Sequence, residues 1–185
     1  MTKETTYHRY RGIAKWVKVG YPTRDHGGID MGDPNGSDPQ VTNHERGGKH
    51  SVDLCVSDAT KQKMIKDGIP EESLGYPQFK PDDEYDGYPW RYQFKVYRNT
   101  GWTDDDGNEV FLDPGVFNSK ERYEDSDGNP RAKEWDWERL GEIGNGSEVQ
   151  VDASVYKNGK RRVIKLLKML VLEHKEYEVE EFVMY

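Results

Sequence analysis

The chain is short of cysteine, histidine, leucine and alanine and carries no long apolar run, and each shortage excludes something. A lone Cys55 among 185 residues rules out an internal disulfide framework and makes a reducing compartment the natural expectation. No apolar stretch approaches the roughly 20 residues of a membrane span. The opening MTKETTYHRYRG has no hydrophobic signal segment, so the sequence predicts an intracellular, soluble protein with no membrane partner. Eight Leu and four Ala are too few to build a helical bundle at this length. Five His and one Cys show no Ser/His/Asp or Cys/His pattern, so nucleophilic catalysis of that kind is not expected. Positive charge is also scarce: 27 Lys and Arg face 35 Asp and Glu, a net charge of −8. That balance argues at first against a nucleic-acid partner, whose phosphates are held largely by cations.

What the chain has in quantity is aromatic. Five Trp, twelve Tyr and five Phe carry enough apolar area for a small β-rich core even though aliphatic residues are few. The charges are also sorted along the chain. Acids clump at 82–86, 104–109, 121–127 and 173–181, three of these clumps lying among Gly, Pro and Asn. Cations accompany aromatics instead: Lys15 and Lys18 flank Trp16, with Tyr21 and Arg24 just beyond; Lys95 and Arg98 flank Tyr97; and Lys157, Lys160, Arg161 and Arg162 follow Tyr156. A single strand of nucleic acid offers flat bases and charged phosphates, so that pairing of residue types suits it.

Five extended segments are predicted: 10–19, 51–56, 91–98, 148–156 and 161–172. In the fourth, Val149, Val151, Ala153 and Val155 alternate with Gln150, Asp152, Ser154 and Tyr156, as one buried face requires. Lys157-Asn158-Gly159-Lys160 joins it to the fifth as a hairpin. The fifth, VIKLLKMLVL, is apolar on both faces, so its outer side calls for a covering element or a second subunit, and a homodimer is one expectation. One helix is predicted, with Asp58 as N-cap and Gly68 at its end. Segments 20–48 and 101–146 are rich in Gly, Pro, Asp and Asn without apolar periodicity and are read as long loops. These pieces predict a mainly β fold: a five-stranded Greek-key barrel of the oligonucleotide-binding (OB) type with one short helix, a single domain over 1–172 and a short acidic C-terminal tail over 173–185.

No metal or cofactor is expected. In WTDDDGNE and EDSDGNP, aligning Gly107 or Gly128 with the glycine of a calcium loop puts Trp102 or Tyr123 at the first ligand position, so both read as acidic turns. His26, His44, His50 and Cys55 match no zinc-finger spacing. GEIGNGSEV lacks the Lys-Ser/Thr pair of a phosphate cradle and reads as a turn. Two alternatives of other classes remain open: a metal-dependent nuclease using the clustered carboxylates, and a β-rich structural or assembly protein with its last strand at a subunit interface.

In order, the Gly-rich loop, HSVDLCVSDATKQKMIKDGI, WRYQFKVY, DSDGNPR, IGNGSEVQVDASVY and the closing apolar strand resemble the single-stranded DNA-binding proteins of short-tailed phages. The resemblance spans residues 10–173. It implies an OB-fold that coats single-stranded DNA during phage replication and recombination in the cytoplasm of the infected bacterium, without catalysis or cofactor. It also implies an acidic tail that meets the phage DNA polymerase and other replication proteins, here Glu178, Glu180, Glu181, Phe182 and Tyr185. This chain departs from the family pattern in that its tail is short and mixes five Glu with one Lys. The proposed strand contacts are Trp16, Tyr97 and Tyr156 as stackers, with Lys15, Lys18, Arg46, Lys49, Lys95, Arg98, Lys157, Lys160, Arg161 and Arg162 on phosphates, and with Tyr21 and Arg24 in the loop that closes over them.

Overall fold

A computed structural model describes residues 5–19, 49–69, 79–82, 90–99, 101–103, 105–111, 114–158 and 161–176, with backbone alone at 49, 99, 101–103, 109–111, 157–158 and 161–163. In chain order the elements are β1 (Thr5–Lys18), β2 (Lys49–Val56), α1 (Asp58–Lys66), β3 (Lys80–Pro81), β4 (Tyr92–Asn99), β5 (Gly101–Thr103), β6 (Glu109–Phe111), β7 (Gly115–Glu124), β8 (Pro130–Glu134), α2 (Trp137–Leu140), β9 (Glu148–Asn158) and β10 (Arg161–Glu173). The architecture is mainly β. Eight strands form one mixed sheet in the order β3-β4-β2-β1-β9-β10-β7-β8, while β5 and β6 pair separately. Only the β10–β7 pairing is parallel among the described strands. β10 also runs close to β4, so the sheet curls around one core. No described helix is long and apolar enough to cross a membrane.

The alternation read from the sequence points inward as predicted. Val52, Leu54 and Val56 of β2, Phe94 and Val96 of β4, and Val149, Val151, Ala153 and Val155 of β9 are all buried in the core, though on β2 the alternating Ser51, Asp53 and Cys55 are buried as well, so that strand has no wet face. β1 is longer than the sequence suggested, beginning at Thr5 and changing partners along its length, from β9 over Thr5 to Ile13 to β2 from Ile13 onward. Gly12 sits at that changeover. A Cβ there would collide with the carbonyl oxygen of Cys55 and the side chain of Leu54, so only glycine lets the strands come this close.

The doubly apolar last strand has a local cause. A β-bulge between Leu166 and Lys168 inserts one residue and reverses the parity. Ile164 and Leu166 face the core before it, Met169 and Val171 after it. On the outer side Leu170 pairs in register with Phe117 of β7, so the apolar strip continues onto the neighbouring strand.

Three sequence expectations change. The helix N-cap is Ser57, not Asp58: Ser57 has extended backbone, and its Oγ accepts the N–H of Thr60 at 3.1 Å, while Asp58 lies in the first turn, where its charge suits the helix dipole. Segment 101–146 contains two hairpins and the short helix α2 rather than one long loop. The sheet has eight strands, not five. Asp67, just past α1, fastens the helix to β1 by accepting hydrogen bonds from Tyr10 Oη (2.9 Å) and Lys63 Nζ (2.6 Å). Partial burial pulls the other way, but those bonds, with His8 nearby, keep the Asp67 carboxyl below its usual range.

Candidate nucleic-acid interface

With Phe94 and Val96 of β4 turned inward, the pleat turns Gln93, Lys95 and Tyr97 outward. The register sets Tyr97 opposite Ser51, Lys95 opposite Asp53 and Gln93 opposite Cys55 on β2. β1 continues the same face, Lys15 opposite Asp53 and Lys18 opposite Ser51, with an irregularity between the two. Asp53 is held by Gln93 Nε2 at 2.5 Å and lies 3.7 Å from Lys95 Nζ. The outer face thus carries Lys18 of β1 and Lys95 and Tyr97 of β4, with β2 between them, while Trp16 falls in the β1 irregularity next to Lys18. Lys18 and Lys95 are exposed and Tyr97 half-buried.

Trp16 stands out in its backbone. It is the only described non-glycine residue with positive φ, 51°, and its side chain is 59% exposed. Left-handed backbone costs an L-residue on the order of 1–2 kcal/mol, so something must hold it there. The GNGS turn does. Asn145 Oδ1 accepts the Trp16 N–H at 2.9 Å, while Ala14 N–H reaches Ser147 O at 2.7 Å and Gly146 N–H reaches Ala14 O at 3.0 Å. The turn is itself fixed by Ser147 Oγ on Gly144 O at 2.8 Å and by Gly146 at φ 96°. What reads in sequence as a glycine turn feeding a strand is also the clamp that presents an indole to solvent.

Lys15 does not take the role expected of it. In regular register with Asp53, it lies under the segment Lys80–Asp82, where it is 6% exposed and its Nζ lies 3.1 Å from Asp82 Oδ2. Asp82 also accepts the Cys55 thiol at 2.8 Å, and its own N–H bonds Arg91 O at 2.8 Å, which folds this segment over the β2 face. The ammonium is committed to a buried pair, so Lys15 leaves the set of phosphate contacts. Burial first, and then the bond to Asp82, raise the Cys55 thiol far above its ordinary pKa. A thiol reagent at mildly alkaline pH is therefore expected to leave the native protein unmodified while the urea-unfolded chain reacts completely. Equal rates would mean that Lys80–Asp82 does not cover the sulfur.

A second cluster lies toward the β9–β10 turn. Tyr156 is half-buried, with Lys165 Nζ 5.1 Å from its ring centroid. Arg98 is half-buried too; burial lowers its pKa, and the neighbouring Tyr156 opposes that shift. Lys157, Arg161 and Arg162 flank the turn in the backbone, Arg162 pairing with Lys157, and Lys49 pairs with Asn99 at the far end of β2. Tyr21, Arg24, Arg46, Lys160 and the tail residues Glu178, Glu180, Glu181, Phe182 and Tyr185 lie outside the described residues.

The sequence missed Lys165, Tyr7 and Tyr123. Tyr7 is 72% exposed and Tyr123 50%. In TTYHRYRG, Tyr7 alternates with inward His8 and Tyr10 alongside Arg9 and Arg11, a signal lost when the strand is started at Tyr10. The two acidic stretches read as turns hold turns at 105–107 and 126–128, as the sequence predicts. Asp125 Oδ1 accepts the N–H groups of Asp127 and Asn129, each at 2.9 Å, and closes the β7–β8 hairpin; these bonds and Arg131 keep its carboxyl below the usual range. Among the described residues no group of three or more His, Cys, Asp or Glu is placed to hold a metal ion. Comparison of the chain with protein-family models finds no match, and comparison with curated proteins finds no significant one.

Proposed function

We propose that this protein is a sequence-tolerant single-stranded DNA-binding protein of the OB type that coats transient strands during phage replication and recombination. One observation carries the proposal: an exposed tryptophan held in left-handed backbone by a dedicated turn, on the strand whose Lys18 lines up across Ser51 with Tyr97. Strained backbone at an exposed aromatic is costly to keep for stability alone and is common where a side chain must be presented to a ligand. Trp16 and Tyr97 supply ring faces for bases, Lys18 and Lys95 supply charge, and Tyr156 with Arg98 and Lys165 extends the surface toward the β9–β10 turn. The neighbour order of five strands, β1-β2-β4 and, through the approach of β4 to β10, β10-β9-β1, is compatible with a Greek-key barrel. On that reading β3 and the β7–β8 hairpin are additions to the barrel. Binding needs no cofactor and breaks no bond. Recruitment of replication proteins through the tail, and action in the host cytoplasm, belong to the same proposal.

Titration with oligo-dT tests it. Tryptophan emission should be quenched, and log affinity should fall with log salt at about −0.7 per phosphate contacted. The strand should stay intact when magnesium or manganese is added. Preference for duplex over oligo-dT, or metal-dependent cleavage, would overturn the proposal.

A further inference from the structure

We propose that a cleft on the opposite flank of β1 is a second contact surface for the same single strand; the proposal rests on the functional reading above. Residues of β1, β9, β10 and the β7–β8 hairpin enclose a cleft of about 270 Å³. Its floor includes Phe117 and Leu170, and its walls carry Arg9, Lys168 and Arg131, with Tyr123 at half exposure. Asp152 is the one carboxylate among the lining residues, and two cations share it: Arg9 Nε at 3.1 Å and Lys168 Nζ at 3.6 Å. Arg131 pairs at 3.0 Å with Asp125, which belongs to the hairpin turn rather than to the lining. The cleft therefore holds a surplus of positive charge on a chain whose net charge is −8. Tyr7 stands two positions before Arg9 on the same strand, with its ring mostly in solvent.

An exposed ring beside surplus cations and an apolar floor complements a base joined to a phosphate. An acidic peptide would satisfy the cations but give the rings no flat partner. β1 joins the two surfaces, since Arg9 and Trp16 lie on it roughly 20 Å apart at strand rise. Site sizes of about 4–16 nucleotides per OB fold allow one strand to reach both.

Photocrosslinking of the full chain to iododeoxyuridine-substituted oligo-dT, mapped by mass spectrometry, tests the proposal. Crosslinks at Tyr7 or Tyr123 in addition to Trp16 or Tyr97 are expected. Crosslinks confined to Trp16 and Tyr97 would overturn the second surface and leave strand binding standing, whereas no oligonucleotide binding at all would overturn the functional reading first. The double variant Tyr123→Ala, Arg131→Gln should lower affinity for a long oligonucleotide about fivefold or more and leave a short one bound as before. Equal affinity at both lengths, or equal loss at both, counts against the cleft. Protection of Tyr123 by an oligoglutamate peptide, without any crosslink to DNA there, would assign the surface to an acidic protein partner instead.

Discussion

Replacing Trp16 with asparagine is expected to weaken oligo-dT binding by about five- to a hundredfold, the worth of one stacked base, while leaving stability within about 1 kcal/mol of the parent. The two effects separate because they reside in different parts of the residue. In the proposed binding mode, affinity resides in the exposed indole. The stability cost resides in the backbone at φ 51°, which asparagine tolerates far better than tryptophan. Trp16→Ala removes the same ring but keeps the left-handed penalty, so it should lose comparable affinity and be less stable than the asparagine variant. Fluorescence anisotropy of a labelled oligonucleotide, together with urea unfolding of both variants, measures each quantity. Parental affinity in either variant would remove Trp16 from the interface. An alanine variant as stable as the asparagine one would mean that the left-handed backbone carries no strain.

How much of this was legible in the sequence depended on whether one face of a strand is buried and the other wet. β9 meets that condition, and its alternation from Val149 to Val155 marks the core face without ambiguity. β7 meets it only in its first half, where Val116 and Asn118 are buried. Its second half, Lys120 to Glu124, stands largely in solvent and reads as loop. β10 breaks the rule at its bulge, where the parity change puts leucines on both faces of the written strand. The helix was legible, but its cap was ambiguous by one residue because Ser57 and Asp58 are both good capping types and only backbone geometry chooses between them. At the candidate site, residue types were readable and directions were not. Lys15 and Trp16 look alike as a solvated pair at the edge of a strand. Lys15 keeps regular register with Asp53 and is covered by Lys80–Asp82, whereas Trp16 falls in the irregularity after it, where Asn145, more than a hundred residues away in the chain, accepts its N–H.

The buried Lys15–Asp82 pair yields the largest stability effect expected. Lys15→Met should cost about 3–5 kcal/mol, because it leaves Asp82 buried with the Cys55 thiol in place of an ammonium. Pairing it with Asp82→Leu should recover much of that loss, since burying two apolar groups avoids the uncompensated charge. A double-mutant cycle in urea measures the coupling between the two positions. Binding gives the complementary check. An ammonium that touched phosphate would take part of the affinity with it and lower the salt slope by about 0.7. An ammonium 6% exposed beneath Lys80–Asp82 cannot do so. Under conditions where the Lys15→Met variant remains folded, its affinity for oligo-dT should lie within about twofold of the parent, with the salt slope unchanged. A lower slope with undiminished stability would reverse the assignment, placing Lys15 on the strand and leaving Asp82 to be neutralised by other means.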